Sequence, residues 1–220
     1  MKINPKIPIL SLALLSAGIA PQAMINVNLS NKQNYDTFEY ITPVKQSTNS
    51  VQNRIIPEGG TTDAKFMSKA PNPHIVIAGE DKTAVIVVSI KDNLLFKYNK
   101  QGKVERVYSV ATGKPSTPTK PQVCIVTHKE KHPYRGAPKT TQRWQTPNAF
   151  GDYCVCMEII DTKTGKQSKT GQFLHGTNKP ESVGHKASKG CMRMFKKDIT
   201  TIKDQVNRGD IIIVAEDCKN

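Results

Sequence analysis

The chain has 220 residues, 32 of them Lys or Arg against 18 Asp or Glu, for a formal net charge of +14. That length houses one domain of ordinary size with sequence to spare, and the cationic excess suits an anionic polymer or surface. The lysines are spread along the chain with no Arg-rich run and no basic patch laced with aromatics, which argues against nucleic-acid binding.

The first element is an address. Lys2 and Lys6 precede an apolar run, IPILSLALLSAGIA from Ile7 to Ala20, followed by Pro21-Gln22-Ala23. This order of basic, apolar and small residues predicts a secretory signal over residues 1–23. The run is short for a membrane span of about 20 apolar residues, and no later stretch approaches that length. An uncleaved signal anchor is the alternative, and it is the only membrane contact expected. In either case the rest of the chain is expected to be exported.

Residues 24–73 are polar and irregular, with QSTNSVQN, PEGGTTDA and APNPH supplying turn formers and no sustained period, and they read as a flexible arm. From residue 74 to 220 the texture changes to short runs rich in Val, Ile, Tyr and Phe: HIVIAGE, TAVIVVSI, NLLFKY, VERVYSVATG, PQVCIVTH, DYCVCMEII and DIIIVAE. Turn signals such as Lys91-Asp92-Asn93 and Asn99-Lys100-Gln101-Gly102 separate them. The expectation is a mainly β domain with antiparallel or mixed pairing, built as a β-sandwich or a partly closed barrel. One short helix is expected late, capped by Asp198, with Ile199, Ile202 and Val206 on one face and Asn207-Arg208-Gly209 ending it.

The segment from Thr127 to Phe150 is too polar and Pro-broken for a core element. It carries Trp144, the only tryptophan, with Tyr134 and Arg135. It reads either as a loop pinned by one aromatic or as a lid over a groove.

Five cysteines, Cys124, Cys154, Cys156, Cys191 and Cys218, make an odd set. With Cys191 set aside as a free thiol, the other four allow three disulfide pairings or none. Cys154 and Cys156 share one face of a strand, which disfavours a bond between them. His128 and His132 could be drawn together with those two cysteines as a zinc set, but the histidines flank a Pro-containing loop, so no metal site and no cofactor is expected.

The chemistry concentrates between His175 and Arg193, in HGTNKPESVGHKASKGCMR. A thiol is mostly protonated near neutral pH, so a cysteine that attacks a carbonyl needs a base beside it, and His175 is the nearest candidate for Cys191. A backbone carbonyl near Gly176 and Thr177 would steer the ring from its other nitrogen. Backbone N–H groups around Gly190 and Cys191 could stabilise a developing oxyanion. Arg193 either orients the loop, the first reading, or holds a substrate carboxylate. Ser188 reads as a hydrogen-bond brace or an oxyanion-side group.

The spacing HGT(x)2P(x)3G(x)3S(x)GC(x)RM, with Asp198 following, resembles the signature of the L,D-transpeptidase (YkuD-type) catalytic domain. Upstream, Val110-Ala111-Thr112-Gly113 and Ser116-Thr117-Pro118-Thr119 resemble the strand and TG…TPT turn that precede the site in that family. The resemblance runs from about Thr83 to Ala215. Lys189 stands where many members have His, and Lys120-Pro121 where many have Gly. The resemblance implies a β-rich enzyme of the periplasm or cell wall acting on peptidoglycan stem peptides, with Cys191 as nucleophile and His175 as base. Gly176, Thr177, Ser188, Lys189, Gly190 and Arg193 would bind substrate, stabilise the oxyanion or support the site. A tetrapeptide donor would be attacked at the carbonyl of its third residue, lose D-alanine, and be transferred from the thioester to an acceptor amine as a 3→3 cross-link. Two alternatives stand beside it: a carboxypeptidase using water as acceptor, and a wall-binding protein without turnover. A cysteine peptidase acting on proteins fits the His-before-Cys spacing poorly.

Overall fold

The computed structural model of the protein describes residues 55–131 and 149–217. The fold is mainly β, as the Val- and Ile-rich runs predict. The strands are β1 (His74–Ile77), β2 (Glu80–Ser89), β3 (Leu94–Tyr98), β4 (Val104–Ser109), β5 (Thr112–Gly113), β6 (Gln122–Lys131), β7 (Tyr153–Ile160), β8 (Gln167–Lys169), β9 (Leu174–His175), β10 (Lys186–Ser188), β11 (Met192–Arg193) and β12 (Ile211–Ala215). Ten of them join one mixed sheet in the order β11-β9-β7-β6-β12-β2-β3-β4, with β1 on β2 and β8 on β7; β5 and β10 form a separate parallel pair. The described strands extend as a mixed sheet and do not close into a barrel.

Both faces of this sheet are covered, which is why its strands read as continuous apolar runs. Along β12, Ile212 and Val214 join one core with Ile86, Val88, Leu95, Val126 and Val155, while Ile211 joins the other with Val87, Phe96 and Val107. Helix α2 (Lys196–Gln205) covers the first face. Its Ile199 and Ile202, with Val206 just beyond, are fully buried, as their spacing predicts, each contributing about 1.5–3 kcal/mol of burial energy. Lys129 on β6 donates to the carbonyls of Lys203 at 2.8 Å and Val206 at 3.0 Å. A cation thereby meets the negative end of the helix and satisfies carbonyls the helix leaves unpaired.

Two local expectations are corrected. Asp198 does not cap α2: Phe195 holds the cap position, without a side-chain bond. Asp198 lies inside the first turn, is 1% exposed, and accepts from the Gly59 N–H at 2.6 Å, a partner too distant in sequence for local pattern to reveal. The described end of the expected arm is also packed. Ile56 is 1% exposed and its N–H donates to Ser109 Oγ at 2.7 Å, Thr61 bridges Val107, and the Tyr98 hydroxyl reaches the Pro71 carbonyl at 2.6 Å. A four-residue helix, α1 (Ala64–Met67), begins after Asp63, whose carboxylate accepts from the Lys65 N–H. No helix among the described residues is long and apolar enough to cross a membrane.

Candidate active site

Three short strands hold the site. β9 and β11 run parallel, with Met192 level with Leu174 and Arg193 with His175. The Met192 N–H donates to the Phe173 carbonyl and the Met194 N–H to the His175 carbonyl, both at 2.9 Å. Arg193 and Ala111 exchange backbone bonds of 2.8 and 3.0 Å, tying the far side of β11 to the residue before β5. Cys191 immediately precedes β11, so its Cα is fixed by strands on both sides.

The loop before Cys191 is organised by one hydroxyl. Ser188 Oγ donates to the Cys191 carbonyl at 2.6 Å and accepts from the Gly190 N–H at 3.0 Å, while the side chain is buried. Gly190 takes φ +113, a conformation that disfavours any side chain whatever the space around it. The TG…TPT turn supplies the outer brace. Thr119 Oγ1 accepts from the Gly113 N–H at 2.8 Å and donates to the Gly190 carbonyl at 2.9 Å. The Lys114 N–H and the Thr117 hydroxyl both donate to the Ser188 carbonyl, at 3.0 and 3.3 Å. A Cβ on Gly113 would lie 2.3 Å from the Thr117 carbonyl oxygen and the Thr119 nitrogen, so only glycine lets this turn close. Because Ser188 holds the Gly190 N–H, that group belongs to the brace and is not an available oxyanion donor.

His175 is 3% exposed, and its Nδ1 donates to the Gly176 carbonyl at 2.5 Å, the region expected to steer it. A carbonyl only accepts, so the proton sits on Nδ1 and Nε2 is the basic nitrogen of the neutral ring. Phe150 stacks on the imidazole with centroids 4.1 Å apart and 29° between planes, and packs edge-on against Phe173. Gly151 and Gly176 touch backbone to backbone, and a Cβ on Gly151 would lie 2.8 Å from Gly176. This contact brings Phe150 over the ring.

His175, Cys191 and Arg193 line one cavity of about 640 Å³. Among the described residues, Lys114, Lys179 and Lys189 add cations to its wall, against the carboxylate of Glu181, and His185 lies on the same rim. The lining favours a substrate that carries carboxylates. Arg193 is half-buried, its Nε is buried without a hydrogen-bond partner among the described residues, and burial holds the guanidinium below its ordinary pKa. That nitrogen is open to an anion, while the backbone of Arg193 ties β11 to Ala111.

The remaining expected residues divide. Thr177 Oγ1 accepts from the Lys179 N–H at 3.0 Å and shapes the turn after His175. Lys189 is exposed at the cavity edge. Tyr134, Arg135 and Trp144, the expected lid, lie outside the described residues, as do His132, Cys218 and the expected signal. Sequence reasoning missed Phe150, Thr119 as a brace, and Gln172, whose side-chain oxygen accepts from the Lys120 N–H at 2.7 Å. The threonine was legible in the TPT triplet; the other two carry no local signal.

Cys124, Cys154, Cys156 and Cys191 are all buried and not joined in disulfides. Burial pushes Cys124 up to about 12. Cys154 and Cys156 lie with their sulfurs 3.7 Å apart in one cluster with Cys191 and Phe150. The hydrogen bond between them, then burial, pushes the Cys154 thiol up, while the same bond holds Cys156 down.

Residues 83–214, more than half of the chain, match the family model described as the L,D-transpeptidase catalytic domain. The chain belongs to that family. Among curated relatives it is 33% identical over 117 residues to YqjB of Bacillus subtilis (strain 168), covering 52% of this chain and 62% of that protein. It is 29% identical over 112 residues to YkuD of the same organism, covering 51% and 54%. Both relatives are L,D-transpeptidases by name, and the chain spans less than two thirds of each. Among solved structures, the catalytic domain of the Enterococcus faecium L,D-transpeptidase is similar at 23% identity and TM-score 0.42, covering 61% of this chain and 98% of that one. Bd1075 of Bdellovibrio bacteriovorus is similar at 18% identity and TM-score 0.47, covering 68% and 54%.

Proposed function

We propose that this chain is an exported, cysteine-dependent L,D-transpeptidase that acts on peptidoglycan stem peptides in the periplasm or cell wall. The observation that carries the reading is His175, its Nδ1 proton held by Gly176 and its ring on the same cavity as Cys191. Nε2 takes the Cys191 proton as the sulfur attacks the carbonyl of the third residue of a tetrapeptide donor. The tetrahedral intermediate collapses, the C–N bond breaks, and the imidazolium returns the proton to the leaving amine of D-alanine. An acceptor amine then attacks the thioester carbonyl, His175 removes its proton, and the Cys191 sulfur leaves. The product is a 3→3 cross-link. Arg193, with its unpartnered Nε, receives a carboxylate of the substrate.

Purified protein incubated with tetrapeptide muropeptides should yield cross-linked dimers by mass, and Cys191→Ala should yield none. Tripeptides alone would replace transfer with hydrolysis, and unchanged muropeptides would overturn the enzyme. A carbapenem should add its mass at Cys191 and nowhere in Cys191→Ala.

A further inference from the structure

His128 lies within strand β6, not on a loop, and a β-bulge decides where it faces. Between Val126 and His128 the ladder slips, so that Val126 pairs with Met157 but His128 pairs with Cys156 and Glu130 with Cys154. Thr127 is the extra residue, and such an insertion re-aims the side chains beyond it. Lys129 and its partner Val155 point toward α2, where Lys129 reaches the last carbonyls and Val155 joins the helix-side core. By alternation His128, Glu130, Cys154 and Cys156 share the opposite face. Directly opposed residues on one face bring their Cβ atoms to about 5 Å.

From this square we infer that His128, Glu130 and Cys156 form a binding site for a thiophilic divalent cation of the zinc class, separate from the catalytic cavity. Their ligand atoms, one imidazole nitrogen, one carboxylate oxygen and one sulfur, all lie within 4.8 Å of one another. His128 Nε2 is 3.0 Å from Glu130 Oε1, and Thr127 Oγ1, 3.0 Å from Nδ1, holds the ring in that orientation. Zinc takes these three donor types at about 2.0–2.3 Å, and a ring nitrogen held from behind is the usual support of such a ligand. The Cys154 sulfur touches that of Cys156 at 3.7 Å but lies outside this group, so the site has three protein donors. Cys156 is buried while the His128 and Glu130 side chains are 57% and 37% exposed, so the sulfur lies beneath two donors that reach solvent. The site adjoins the catalytic row, since Cys154 pairs with Glu130 on one side and with His175 on the other.

The test uses the full chain carrying Cys191→Ala, reduced, so that the nucleophile cannot supply the sulfur. Titration with Co²⁺ should give a thiolate-to-cobalt charge-transfer band that saturates at one ion per chain. Adding Cys156→Ser should abolish the band, and adding His128→Ala should weaken cobalt binding at least tenfold. Absence of the band, or its survival in Cys156→Ser, overturns the site. Because Cys156 is buried and its replacement can unfold the chain, thermal unfolding with Zn²⁺ gives a second reading through His128, which is exposed. Zn²⁺ should raise the Tm of the Cys191→Ala protein and leave that of its His128→Ala derivative unchanged; equal shifts in both overturn the site. Failure here leaves the transpeptidase reading standing, since muropeptide turnover is measured on the wild type.

Discussion

Cys191 and the Cys154–Cys156 pair occupy one cluster, yet they are presented in opposite ways. Cys191 ends a loop whose glycine at φ +113 only a residue without a side chain adopts easily, and whose hydroxyl brace fixes the backbone on both sides of that glycine. The sulfur reaches a cavity that also holds His175 and Arg193. Cys154 and Cys156 sit in the middle of a regular strand, paired with each other and shielded by Phe150 and Phe173. Three thiols of similar burial thus differ in what surrounds them: Cys191 shares a cavity with His175 and Arg193, Cys154 meets the Cys156 sulfur, and Cys156 meets that sulfur and the His128–Glu130 pair. Burial alone does not make a cysteine inert or reactive; the groups that share its space do.

The largest effect is expected at Cys191, the proposed nucleophile. Cys191→Ala should lower transpeptidation at least about a thousandfold, whereas Cys154→Ala should stay within about tenfold of wild type; muropeptide rates compare them, and equal losses would erase the distinction. Next comes the brace. Ser188→Ala strands the Gly190 N–H and the Cys191 carbonyl, so stability should fall by about 1–3 kcal/mol and turnover by up to about a hundredfold as the sulfur loses its fixed position. Urea unfolding and kcat measure the two effects, and a mutant with full activity would show the hydroxyl to be incidental. Arg193→Ala should act mainly on KM, raising it about tenfold or more as a charge-assisted bond to the substrate is lost. A fall in kcat with KM unchanged would instead assign Arg193 to shaping the loop.

A last effect, on stability and not on turnover, lies away from the chemistry, at Asp198. Burial is the first cause that raises its carboxyl to about 6, against about 3.9 in the unfolded chain. The folded state therefore binds the proton more tightly, and the penalty for burying the charge is absent below about pH 4. It grows as pH rises through the window from about 4 to 6 and is complete above it, at an order of 2–3 kcal/mol. Asp198→Asn should remove that part of the pH slope. Unfolding midpoints at several pH values between 4 and 7 check it, and an unchanged slope would remove Asp198 from the account.

What the sequence disclosed follows from how local each constraint is. His175, Ser188, Gly190 and Cys191 fall within seventeen consecutive positions, and their residue types are dictated by jobs done over two or three residues, so their arrangement was legible. The Thr117-Pro118-Thr119 turn was legible for the same reason, though not the bond it sends to Gly190. The mainly β character was written in period and composition; the strand order was not. The partners that escaped are distant ones: Gly59 to Asp198, Phe150 to His175, Ile56 to Ser109. His128 escaped for a different reason. A one-residue bulge inverts which side chains face which way, and a bulge at Thr127 has no compositional mark strong enough to separate it from a plain strand or a loop.

The bonds from Thr119 and Thr117 to the cysteine loop each bridge 71 positions of chain. Closing so long a loop costs entropy that only the intervening sheet can offset. The setting of the Cys191 sulfur is therefore a property of the assembled domain, because its loop is held from a turn that only the intervening sheet brings near. On the proposed function, activity would then depend on a complete sheet as much as on the residues that line the cavity.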